Sequence, residues 1–116
     1  MIELFASDTP NGKKISIMLE EIKFPYKVTS INLTKGEQFE KKFIKISPFS
    51  KIPAIKDEDN NKSIFGSGAI LIYLAEKSKK FYNKENKLDI DQWLMAQMGL
   101  IGPMIGQYHS FYRFNK

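Results

Sequence analysis

Residues 47–77 constrain this chain more than any other stretch: SPFSKIPAI is followed, after a polar turn, by IFGSGAILIYLAEK. Pro53 has no backbone N–H, so it fits the first residue or the edge of a strand, where a missing donor leaves no gap in the ladder. It also pushes Ile52 toward extended geometry. A cis Ile52–Pro53 bond is expected at so tight a turn into a strand, with the Ile52 N–H and C=O facing outward to pair with an extended ligand backbone. Downstream, Ser67 and Gly68 precede the apolar run Ala69 to Ala75. A hydroxyl and free N–H groups at a helix N-terminus suit a carboxylate. Taken singly, the pieces read as a strand-edge proline and a helix cap; in this order they describe an edge that reads a short peptide with a free carboxylate.

With 116 residues, 42% of them hydrophobic, the chain can bury one core, removing about two-thirds of its unfolded surface from water. Its apolar runs are too short for a membrane span, and MIELFASD lacks the basic flank of a signal peptide, so a cytoplasmic protein without a membrane partner is expected. The net charge is +5, but the lysines are scattered over the helix faces and the 77–87 segment. Such scatter is a solvated surface rather than a nucleic-acid stripe. There is no cysteine, which excludes disulfides, thiolate zinc sites and a protein-borne thiol nucleophile. Any sulfur chemistry must come from a ligand, and no metal is called for.

Ile2 to Phe5 reads as a strand ended by the polar turn Ser7 to Gly12. Ile15, Met18, Leu19 and Ile22 then fall on one helical face. Tyr26 to Leu33 alternates through Val28 and Ile31 as a second strand, and Phe39, Phe43 and Ile46 mark a second, shorter helix. Ile52 to Lys56 and Ser63 to Phe65 form a hairpin around the Asp57 to Asn61 turn, leading into the Ser67 helix, which is apolar nearly all round and so expected to be buried. The order is β-α-β-α-β-β-α, a mixed sheet with helices on both faces. Lys77 to Lys87 is a polar connector anchored by Phe81 and Tyr82. From Asp89 a new helical pattern runs through Ile90, Trp93, Leu94, Met98 and Ile101, weakened or kinked later by Gly99, Gly102, Pro103 and Gly106.

The spacing of SPFSKIPAI to SGAILIYLAEK resembles the N-terminal, thioredoxin-like domain of glutathione transferases. With TPN at 9–11, GEQF at 36–39 and GPMIGQ at 102–107, the chain is similar to the nu-class and yeast prion-regulator branch over almost its whole length. The resemblance implies an α/β fold with a four-stranded mixed sheet at 1–78, a linker at 79–88, and at 89–116 the first helix of an all-α C-terminal domain cut short. It implies that Thr9 and Asn11 contact the sulfur of glutathione, Gln38 its glycine end, Ile52 its cysteinyl backbone beside Pro53, and Ser67 its γ-glutamyl carboxylate. An anion at the first turn, SDTPNGKK, would meet free N–H groups and the positive end of a helix dipole, which lowers the pKa of a bound thiol. A plain helix cap by Thr9 or Asn11 is the structural alternative, and the two are compatible. The activity implied is glutathione-dependent disulfide or peroxide reduction, or conjugation to electrophiles, by a homodimer.

Two departures stand out. The family places an acidic residue or glutamine just before the serine, where it meets the γ-glutamyl amine; this chain has Gly66. Losing a charge-assisted hydrogen bond of roughly 1.5–3 kcal/mol weakens binding ten- to a hundredfold. The family's helical second domain is also longer. Trp93, Met95, Met98, Met104, Tyr108, Phe111, Tyr112 and Phe114 read as core material for helices not in this sequence. His109, the only histidine, reads as a solvated or capping residue rather than a general base. Both departures favour the alternative, a non-enzymatic member of the fold used for protein interaction.

Overall fold

A computed structural model describes residues 1–114, which divide into two compact units, one to Lys80 and one from Phe81. In the first, strand β1 (Ile2–Ala6) leads to helix α1 (Pro10–Ile22) and strand β2 (Tyr26–Ser30). A 3-10 turn (Glu37–Phe39) and the short helix α2 (Lys41–Ile44) follow. The hairpin β3 (Ala54–Asp57) and β4 (Lys62–Phe65) then runs into α3 (Ser67–Ser78). The sheet order is β2-β1-β3-β4, with β1 and β2 parallel and the other pairs antiparallel. This is the thioredoxin-like order expected.

Alternation along β1 builds two cores. Ile2, Leu4 and Ala6 pack with Ile55 of β3 against Ile15, Leu19 and Ile22 of α1 and Ile70 and Leu74 of α3. Phe5 and Ala54, on the opposite face, pack with Ile31 and Phe43 of α2. Each fully buried aliphatic side chain contributes about 1.5–3 kcal/mol. Helix α1 stops where Lys23 turns left-handed at φ 59° and its N–H caps the Leu19 and Glu20 carbonyls. Asp57, fully buried, accepts hydrogen bonds from the Tyr73 hydroxyl, the Lys77 ammonium and the Asp59 N–H, tying the hairpin to α3.

Several boundaries differ from the sequence reading. β2 ends at Ser30 rather than Leu33, and Val28 is 55% exposed because β2 is an edge strand. Phe39 is exposed in its own 3-10 turn, since Glu40 is extended and separates it from α2. β3 begins at Ala54, so Pro53 stands buried just before the ladder. Helix α3 is longer than its apolar run and only one side is buried, through Ile70, Leu74 and Ala75; Ala69 is exposed.

The second unit is helical from Lys87 to Phe114 without a break in chain direction: α4 (Lys87–Ala96), a π-helical turn (Gln97–Ile101), α5 (Gly102–His109) and a second π-helical stretch (Ser110–Phe114). Pro103 supplies no N–H to the preceding turn, and a ring in mid-helix crowds the carbonyl four residues back. The helix answers by widening ahead of it. Gly102 is required there, because a Cβ would lie 2.9 Å from the Gln97 carbonyl oxygen. Tyr82 donates to Asp91 at the start of this unit, whereas the Phe81 side chain is exposed. Tyr108 and Tyr112 stack at 5.3 Å, Trp93 is 73% exposed, and His109 is exposed on the helix surface. The Phe114 side chain lies outside those described.

Candidate functional site

Strand register gathers the predicted residues. Phe5 pairs with Ala54 and Ala54 with Phe65 in antiparallel ladders, so the end of β1, the start of β3 and the end of β4 share one rim of the sheet. The turn into α1, the Ile52–Pro53 step and the turn into α3 therefore all open on that rim. β2, parallel to β1, ends there too, with Ala6 opposite Ser30. Two strand spacings across β1, β3 and β4 span about 10 Å, which is about the length of three extended residues.

The first turn is tightly braced. Ser7 donates its hydroxyl to the Ile31 carbonyl at 2.5 Å, and Thr9 N–H bonds the Ser7 carbonyl at 2.8 Å. Thr9 is the N-cap of α1: its Oγ1 accepts from Gly12 N–H at 3.1 Å. That bond uses an acceptor lone pair and leaves the hydroxyl proton to donate. The cap and an anion-binding hydroxyl thus coexist on one residue. Gly12 permits the approach, since a Cβ there would lie 2.8 Å from the Ser7 carbonyl oxygen. Pro10 occupies the first helical position, where no N–H is needed. Asn11 is exposed beside it, and its Oδ1 accepts from the Lys14 ammonium at 2.9 Å. Burial of Lys14 lowers its pKa from the ordinary lysine value.

The Ile52–Pro53 bond is cis. Among the described residues, neither the N–H nor the C=O of Ile52 has a hydrogen-bond partner. The loop before it is held by buried Ser47, whose hydroxyl donates to the Lys51 carbonyl at 2.7 Å and accepts from Lys51 N–H at 3.3 Å. On the far side, Ser67 opens α3 and is buried, preceded by Gly66 at φ 87° and ψ 119°. Gly66 brings no carboxylate to this corner. Gln38 stands in the 3-10 turn after β2, and its Oε1 is buried without a hydrogen-bond partner among the described residues.

Sequence reading gave no role to Lys14, Ser7 or Ser47. The i, i+3 spacing of Asn11 and Lys14 on a helix was the available signal for the first. A cavity of about 480 Å³ lies between α2 and the sheet beside Glu3, Thr29 and Lys56; it reaches the rim only at Phe5 and Ser30 and is lined by none of Thr9, Asn11, Gln38, Ile52 or Ser67. Among the described residues no cluster could hold a metal ion, and no helix is long and apolar enough to cross a membrane.

Residues 2–76 match the sequence profile of the family described as "Glutathione S-transferase, N-terminal domain". The chain is 47% identical to the disulfide-bond oxidoreductase YfcG of Escherichia coli over 118 residues, covering 96% of this chain and 55% of that protein. It is 36% identical to protein URE2 of Candida maltosa over 119 residues, covering 91% of this chain and 35% of the relative. A glutathione transferase family member from Pseudomonas fluorescens, solved with two glutathione bound, superposes with a TM-score of 0.91 at 45% identity, over 97% of this chain and 52% of that one. The chain spans about half the length of the first of these relatives and of the solved structure.

Proposed function

The chain belongs to the glutathione S-transferase family through its N-terminal domain, and on that premise we propose that the rim binds glutathione and holds its sulfur as a thiolate for disulfide exchange. The observation that carries the reading is the register Phe5, Ala54, Phe65. It aligns three kinds of recognition along a tripeptide's length. The N-terminus of α1, with the Thr9 hydroxyl and the Asn11 amide, takes the thiolate; the unpaired Ile52 backbone beside Pro53 takes the cysteinyl amide groups; Ser67 takes the γ-glutamyl carboxylate. Gln38 takes the glycine end, its Oε1, without a partner among the described residues, accepting from the glycyl N–H.

The chemistry follows from the missing cysteine. The bound thiolate attacks one sulfur of a substrate disulfide, the S–S bond breaks, and the departing thiolate is protonated. A second glutathione resolves the mixed disulfide, so two glutathiones are oxidised as one disulfide is reduced. Capping N–H groups and the helix dipole favour the thiolate over the thiol. The resemblance to an oxidoreductase favours this reaction over conjugation to electrophiles. We further propose self-association through the helix from Lys87, which buries none of its described side chains.

Calorimetric titration with glutathione, followed by a disulfide-exchange assay with and without it, tests the reading. Turnover is expected only with added glutathione and is expected to vanish in a Thr9→Ala, Asn11→Ala double mutant. Turnover without any added thiol would overturn the mechanism. Binding without turnover would support the non-enzymatic alternative, a regulatory or interaction role for the same fold.

A further inference from the structure

We infer that Lys14 is a positioning residue of the thiolate site, fixing the Asn11 side-chain amide so that its N–H₂ group, and not its oxygen, faces the bound sulfur. The inference rests on the glutathione reading above and adds a residue to it.

An asparagine amide has one accepting and one donating end, nearly equal in shape. Only the donating end stabilises a thiolate; the oxygen would repel it. An exposed amide on a first helical turn turns freely about its last bond unless something selects one orientation. Lys14 does so. Its ammonium carries three donors and no acceptor, so the only bond it can make to the amide is to Oδ1, at 2.9 Å. With the oxygen held by Lys14, Nδ2 is the end of this exposed amide turned away from the ammonium.

Helical spacing makes the arrangement durable, since residues three apart lie on one face. The lysine is half-buried, and burial pulls its pKa down from the ordinary value. Partial desolvation strengthens the ammonium–amide bond. Lys13, next to Lys14 in sequence, pairs instead with Asp8 at 3.1 Å on the exposed side of the same turn. Lys14 therefore acts on the sulfur in two ways, through the orientation of Asn11 and as a nearby positive charge.

The test uses the full chain and glutathione as the probe. The ultraviolet absorbance of bound thiolate is followed against pH in the wild type, Lys14→Met, Lys14→Arg and Asn11→Ala. We expect Lys14→Met to move the ionisation of bound glutathione upward by about one pH unit, a tenfold loss of thiolate at a given pH below the pKa. Asn11→Ala is expected to move it in the same direction. Lys14→Arg should restore most of the wild-type profile, because a guanidinium also only donates. A Lys14→Met profile that coincides with the wild type while Asn11→Ala is shifted would overturn the inference and leave the glutathione reading standing. No calorimetric binding of glutathione by the wild type would overturn both. A measurement without ligand adds an independent check: the Asn11 side-chain amide resonances should shift in Lys14→Met and return in Lys14→Arg, and unchanged resonances would also overturn it.

Discussion

Gly66 separates the stability of the site from its affinity, and two substitutions exploit the separation. At φ 87° and ψ 119° the residue sits where a side-chain-bearing amino acid is strained, although an added Cβ would meet no atom within 4 Å. Gly66→Ala therefore costs strain without a clash, about 1–3 kcal/mol. For a domain of this size each kcal/mol lowers Tm by roughly 4–8 °C. Gly66→Glu bears the same strain, because strain depends on the backbone and not on the length of the side chain. Its carboxylate, next to Ser67, would meet the ammonium of a γ-glutamyl group. A hydrogen bond to a charged group is worth about 1.5–3 kcal/mol, which corresponds to a ten- to hundredfold tighter Kd. Strain is present in free and bound protein alike and cancels from affinity, whereas the new bond exists only in the complex. Thermal unfolding should thus rank both mutants below the wild type by similar margins, while calorimetry ranks Gly66→Glu as the tightest glutathione binder. A Gly66→Glu chain that binds no tighter than Gly66→Ala would refute the placement of the γ-glutamyl amine at this corner.

Two further outcomes follow from the scaffold. Burial pushes the Asp57 carboxyl up, but the Lys77 ammonium, the Tyr73 hydroxyl and the Asp59 N–H together outweigh it and hold its pKa below the ordinary value. A carboxylate depressed in the folded state contributes stability that is present above the unfolded pKa of about 4 and lost as pH falls through the folded value. Asp57→Asn should therefore lower the urea midpoint at neutral pH and flatten its decline in acid, and an acid limb as steep as that of the wild type would contradict the pairing. Gly12→Ala gains about 1 kcal/mol of helix propensity, yet its Cβ would lie 2.8 Å from the Ser7 carbonyl oxygen. Overpacking of about 1–3 kcal/mol should win, so urea unfolding should show a less stable chain, and a mutant as stable as the wild type would show that the turn yields.

What could be read from the sequence is what local chemistry decides. Pro53, the TPN turn and the Ser67 helix start each carry their instruction within a few residues: no N–H to donate, a hydroxyl ahead of a helix, a small residue where the backbone must turn. The strand ends and helix starts that make the rim are of this kind, so the rim's elements are legible in the sequence. Register is a different matter. That Phe5, Ala54 and Phe65 fall in one row follows from how three strands align along their whole length, and no short motif states it. Asp57 reads as a turn residue because its partners Tyr73 and Lys77 lie 16 and 20 positions away on another element. Val28 fits a buried alternation until the sheet order makes β2 an edge. Pro103 promises a kink, but whether a helix bends or widens depends on whether its neighbour can let the backbone close in, and here Gly102 can. Lys14 lies between the two classes. Its distance from Asn11 is a helical spacing legible in the sequence, but its meaning rests on an asymmetry of the amide that matters only once something must be bound there. The candidate site is thus written in local terms at the rim, and the sheet's long-range register brings those terms within about the length of three extended residues.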